Sequence, residues 1–191
     1  LMDHARVGAS LIVDGDAGRV VLDPSPSTLA AYERRREERH REKRRLIRLR
    51  DLPAVTRDGT EIKLEANVEL PIEMEGVRQA GASGVGLLRT EFMFMNRADL
   101  PNEDEQAREL IRVVAAMDGH PVTIRTLDIG AEKLAAALTD DIGAGAASAL
   151  GLRGIRLSLK KSETLETQFR AILRAAAHGP VRILLPMVTT P

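Results

Sequence analysis

The sequence predicts an α/β fold built on parallel strands, and three observations carry that prediction. From residue 59 onward, short apolar runs alternate with helix-period segments, the pattern of strands joined by right-handed helical crossovers. Apolar residues make up 43% of the chain but aromatic ones only 2%, so the core has to be assembled from Leu, Ile, Val and Ala. Cysteine is absent, which removes disulfides, Cys-ligated metals and Cys nucleophiles within this chain. A closed β/α barrel needs eight strand–helix units in about 250 residues. The four units visible in 59–191 therefore read as half a barrel, preceded by a β-hairpin and a long helix. Basic and acidic residues number 28 each, so no global field points to nucleic acid or a membrane. No apolar run approaches the roughly eighteen residues of a membrane span, and a soluble, cytoplasmic protein is expected. The start at Leu1 and the stop at Pro191, just after an apolar run, fit a segment of something longer.

Taken in order, Leu11 to Leu22 reads as two strands about a turn supplied by Asp14, Gly15 and Gly18, with Pro24 ending the second. A lone hairpin is marginally stable, so further sheet partners are expected elsewhere. Ser25 beside Pro26 is a helix start, and no breaker follows until Asp51. Between Glu33 and Arg50 there are ten basic and four acidic residues. That surplus could contact RNA or an acidic partner. The favoured reading is a solvated connecting helix, since it is polar all round and no aromatic interleaves the basic residues. These features divide the chain into 1–24, a helical linker 25–58, and 59–191. In the last part, 62–68 alternates as a strand, 71–80 is a helix ending at Gly81, and 84–94 is a strand. A helix over 103–117 carries Leu110, Ile111, Val113 and Val114, and a strand over 122–129 follows. After the small-residue stretch 143–147 come a helix over 162–177, with Leu165, Phe169, Ile172 and Leu173 on one face, and a fourth buried strand over 181–188.

In parallel β/α folds the working residues lie at the carboxyl ends of strands. Arg89 ends the second of these strands and Arg125 sits towards the end of the third. By alternation, Arg89 shares a face with Val85 and Leu87, and Arg125 with Thr123 and Leu127. Two guanidinium forks converging from adjacent strands suit a phosphate or a carboxylate. The competing reading is that each arginine is paired with a nearby acid, Glu91 or Asp128. Arg153 or Arg156, after the small-residue loop, could complete an anion clamp, and Lys133 is a weaker candidate. His4, His40, His120 and His178 are isolated and show no metal spacing, and no glycine run matches a P-loop or dinucleotide fingerprint.

Gly84-Val85-Gly86-Leu87-Leu88-Arg89-Thr90-Glu91-Phe92, Arg125-Thr126-Leu127-Asp128-Ile129-Gly130, Leu150-Gly151-Leu152-Arg153-Gly154-Ile155-Arg156 and Leu185-Pro186-Met187-Val188 occur in that order. At these residues the chain resembles the phosphoenolpyruvate (PEP)-utilising enzymes, and among them the Enzyme I group of the phosphotransferase system. The resemblance covers nearly all of 10–191. It implies that 59–191 is the N-terminal half of a PEP-binding TIM-type barrel and 1–24 the tail of a swivelling phosphohistidine domain. It further implies that Arg89 and Arg125 bind the phosphoryl group of PEP, with Arg153 in support. In that family the phosphoryl group passes to an enzyme histidine and on to a small histidine phosphocarrier protein, with Mg2+ required and a homodimer as the full-length form. Gly130-Ala131-Glu132-Lys133 stands where the family has Gly-Gly-Asp-Lys, and 134–149 lacks the family's aromatic and proline residues. The phosphohistidine segment, the magnesium carboxylates and the proton-donating cysteine are not in this chain. The expectation is thus a part of a PEP-protein phosphotransferase that is inactive alone. The alternative is a non-catalytic half-barrel that uses its open strand edges for oligomerisation.

Overall fold

The structure is a computed structural model that describes residues 6–129 and 151–189. Two compact units divide the chain, Leu1–Leu52 and Pro53–Pro191.

In the first unit, β1 (Leu11–Asp14) pairs antiparallel with β2 (Arg19–Leu22) as a two-stranded sheet. Asp14 closes the turn by accepting the Ala17 N–H at 3.1 Å, and Gly18 takes φ 62°. Helix α1 (Pro26–Ile47) starts as the sequence indicates, with Ser25 Oγ accepting the Thr28 N–H. It stops four residues earlier than the run of good helix formers would allow, and none of its residues is buried. Part of its positive surplus is answered locally. Arg35 donates to Asp14 Oδ2 at 2.9 Å and sits 5.3 Å from the centre of the Tyr32 ring, and Arg39 pairs with Asp16.

The second unit is organised on a parallel sheet of β3 (Ala66–Val68), β4 (Val85–Arg89), β5 (Val122–Arg125) and β6 (Val181–Leu184). The strands lie side by side in chain order. Helix α2 (Met74–Ala80) joins β3 to β4 and α3 (Glu103–Ala116) joins β4 to β5. Helices α4 (Ile155–Lys160) and α5 (Ser162–Ala176) precede β6. Val68, Val85, Leu88, Val122 and Ile124 from the strands meet Leu110, Val113, Val114, Ala171, Ile172 and Ala175 from the helices in one core. A smaller cluster of Phe94, Leu127, Ile129 and Leu157 lies beyond the strand ends.

Every strand is shorter than its apolar run suggests. Of 62–68 only the last three residues join the sheet, because their neighbour begins at Val85. Ile62 instead donates its N–H to Ala54 and stays half exposed. After Arg89 the chain turns through a 3-10 segment, Glu91–Met93, rather than continuing to 94. β6 is not a buried strand either: Ile183, Leu184 and Leu185 are each 37–42% exposed, since no further strand covers that edge among the described residues. On α5 the buried face is Gln168, Ala171, Ile172 and Ala175, while Leu173 is 65% exposed. The small alanines, rather than the larger leucines, face the core beside α3. The calls on Lys133 and on 134–149, with its small-residue stretch, lie outside the described residues.

Glu65 and Arg182 form an ion pair at 3.3 Å across the other two strands. Beneath it lie the two glycines of the 84–86 motif. A Cβ on Gly84 would stand 2.8 Å from the Pro121 carbonyl oxygen, and one on Gly86 would stand 3.1 Å from the Glu65 Cβ. The glycines are there to let the Glu65 side chain and the neighbouring strand approach.

Candidate functional site

Arg89 and Arg125 are the last residues of β4 and β5, and the register pairs them directly. Residues paired across adjacent parallel strands project to the same face about 4.8 Å apart, so the two guanidinium groups leave the sheet together. The reasoning from strict alternation needs one correction. Val85 and Leu88 both enter the core although three residues apart, because the ladder is irregular between them. Arg89 therefore does not share a face with Val85. The irregularity brings Leu88 opposite Ile124 and Arg89 opposite Arg125. Leu127 likewise lies beyond the strand, in the second apolar cluster.

Each arginine meets a carboxylate. Arg89 pairs with Glu69, the first residue after β3. Arg125 donates to Glu91 Oε1 at 2.8 Å and lies 3.3 Å from Asp128 Oδ2. Asp128 reaches on to Arg153, whose Nη2 is 3.3 Å from its other oxygen. Three arginines thus stand among three carboxylates, with Asp128 tying Arg125 to Arg153. Exposure grades across the group, from 10% for the Glu91 side chain to 20% for Arg125 and 43% for Arg89. The pairing is incomplete. Arg89 Nε, Arg125 Nε and Glu91 Oε2 are buried and find no hydrogen-bond partner among the described residues. Buried donors without partners are costly, and two on neighbouring strand ends form a place where an acceptor-rich anion would be held.

The backbone around this group is fixed from several directions. Arg125 C=O accepts the Thr90 hydroxyl at 2.9 Å, and the Thr126 N–H donates to the Leu184 carbonyl. The Leu127 N–H donates to Gln168 Oε1 at 2.9 Å, and the Asp128 N–H to Glu91 Oε1 at 3.1 Å. The turn carrying Glu69 is held by Glu73, whose Oε2 accepts the N–H groups of Leu70 and Glu69. Those two bonds keep the Glu73 carboxyl below its ordinary range. Arg153 stands just before α4, where a Cβ on Gly154 (φ 55°) would stand 3.2 Å from Met187 Cγ and the Ile155 N–H donates to the Pro186 carbonyl. Arg156 falls inside α4.

Two participants escaped the sequence reasoning. Glu69 occupies on β3 the strand-end position that Arg89 occupies on β4, so the same rule could have found it. Gln168 is a polar residue inside the apolar face of α5, an anomaly that only a buried role explains. No group of three His, Cys, Asp or Glu suited to a metal occurs among the described residues. The carboxylates near the arginines are themselves engaged by them, so this donor set does not fit a magnesium ion.

The PEP-binding domain model of the PEP-utilising enzymes matches residues 43–191. The chain belongs to this family. It is 53% identical over 179 residues to a phosphoenolpyruvate-protein phosphotransferase of Cupriavidus necator, covering 93% of this chain and 30% of that protein. With the protein of the same name from Staphylococcus epidermidis it is 41% identical over 190 residues, 100% of this chain and 33% of the relative. The Geobacillus stearothermophilus counterpart is 41% identical over 187 residues, 98% and 32% respectively. The chain therefore spans about a third of the length of these relatives. No helix among the described residues is long and apolar enough to cross a membrane.

Proposed function

We propose that this chain is the PEP-binding part of a phosphoenolpyruvate-protein phosphotransferase, in which Arg89 and Arg125 hold the phosphoryl group of PEP and Arg153 supports them. The observation that carries the reading is the direct register of Arg89 with Arg125 at the carboxyl ends of adjacent parallel strands, each with a buried Nε that finds no hydrogen-bond partner among the described residues. Guanidinium forks bind a phosphoryl oxygen pair with directional hydrogen bonds. Positive groups held at the transferring oxygens offset charge as the ester bond loosens. The ordered parallel strands support a first half-barrel over 59–191. The family and the relatives' name support a parent protein that passes the phosphoryl group through a histidine to a phosphocarrier. Residues 1–24 and 25–58 would then be the end of the histidine-bearing domain and its linker. Magnesium belongs to the proposed parent reaction.

Calorimetric titration of the chain with PEP tests this reading. Saturable, weak binding is expected, competed by inorganic phosphate and lost in Arg89→Ala, with no pyruvate formed. Absence of saturable binding, or binding indifferent to both arginines, overturns it.

A further inference from the structure

Gln168 is 1% exposed, lies on α5, and uses both ends of its amide on the strand ends. The Leu127 N–H can only donate, so it must face Oε1, and this directs Nε2 to the Thr90 oxygen at 3.1 Å. With that lone pair occupied, the Thr90 hydroxyl donates its own hydrogen to the Arg125 carbonyl at 2.9 Å. One amide thereby governs the residue after Arg89, the carbonyl of Arg125 and the N–H two residues further on. Four polar groups of the 125–128 backbone are each tied to something different: Thr90, Leu184, Gln168 and Glu91. Three of these partners belong to β6 or the turn after β4. Only Gln168 comes from a helix of the outer layer.

We propose that Gln168 is a positioning residue for the anion site: it sets where Arg125 and Asp128 stand, and through Asp128 where Arg153 stands. The inference rests on the phosphate reading above for its effect on ligand, but not for its effect on Arg125 itself. Gln168 acts on the arginines indirectly, through the Leu127 N–H and through the Thr90 hydroxyl.

The test uses the full chain and four variants: Gln168→Met, which keeps length without hydrogen bonding; Thr90→Val, which cuts the relay at its other end; Arg125→Lys; and Gln168→Met combined with Arg125→Lys. PEP affinity is measured by titration at a temperature where thermal unfolding shows every variant folded. The Arg125 Nε–H and Asp128 amide signals are followed by nitrogen-15 NMR. Gln168→Met is expected to bind PEP about ten-fold more weakly, to move both signals, and to speed amide exchange at Leu127. Gln168→Met combined with Arg125→Lys should lose less than the two single losses added together, since both disturb the Arg125 guanidinium. A folded Gln168→Met with unchanged affinity and an unmoved Arg125 signal overturns the proposal, and so do fully additive losses. Should Gln168→Met fail to fold, Thr90→Val decides by the same readings. A wild-type chain that does not bind PEP removes the phosphate reading, while the Arg125 signal still decides what Gln168 does.

Discussion

Lysine at position 125 would keep the charge and discard the fork, which makes Arg125→Lys a sharper probe than alanine. It still neutralises part of Glu91 and Asp128, 2.8 and 3.3 Å from the guanidinium, so the carboxylates are not stranded. PEP affinity is expected to fall by about 1.5–3 kcal/mol, the worth of hydrogen bonds to a charged group, with the unfolding temperature little changed; titration and thermal melts check both. Gly84→Ala is expected to do the opposite. Its Cβ would meet a backbone oxygen at 2.8 Å, which cannot rotate away, so stability should drop by about 1–3 kcal/mol as read from the urea midpoint. Gly86→Ala meets the Glu65 side chain instead and should cost less. At this scale the arginines were legible because a charge at the end of an apolar strand needs a reason. Their partners were less so: Asp128 and Glu91 are near in sequence, but Glu69 reaches Arg89 only through the pairing of β3 with β4.

Helices α3 and α5 show how an element is fastened at its edge as well as through its core. Glu103 accepts from Arg170 and Arg174 at 3.0 and 2.9 Å, and Asp104 accepts from Arg174 at 2.6 Å. The Arg174 guanidinium, then Arg170, holds the Glu103 carboxyl below its ordinary range, and Arg174 does the same for Asp104. Glu105 is held low by the Asn102 N–H of its capping box and then by Arg97. A carboxyl whose folded pKa is depressed binds fewer protons folded than unfolded. Its stabilisation is complete above the unfolded value near 4.3 and is lost as pH falls through the lower, folded value. Urea unfolding should therefore show stability flat near neutrality and declining below about pH 4, with a shallower decline in Glu103→Gln. Being exposed, these pairs are screened, so the same slope should lessen in high salt. The apolar spacing of α3 was readable in advance, as Leu110, Val113 and Val114 are buried. The face of α5 was readable at Ile172, which is buried, and at Phe169, which packs against the core, but not at exposed Leu173 or at Ala171 and Ala175, since small residues carry little apolar signal. Strand lengths were overestimated for a related reason: apolar runs mark burial, whereas a strand ends where its neighbour ends.

Among the described residues the sheet of the second unit has two edge strands, β3 and β6, and beside β6 Ile183, Leu184 and Leu185 are partly open to solvent. Unpaired edges bearing apolar residues promote association, so light scattering should show mass rising with concentration, and Ile183→Lys should reduce it. A monomer at high concentration would count against any role for this edge in assembly. Parallel order and strand number were recoverable from the alternation of patterns. The Glu65–Arg182 pair was not, since nothing in sequence joins residues 117 positions apart. The balance of charge at the strand ends reaches further than the site itself. With three carboxylates already answering three arginines, on a chain whose 28 cations match 28 anions, little attraction extends into the surrounding water. Ligand capture becomes an exchange of one counter-ion for another at short range. Its speed should change little between dilute and concentrated buffer, unlike the salt-sensitive encounters of proteins with a bare cationic cleft.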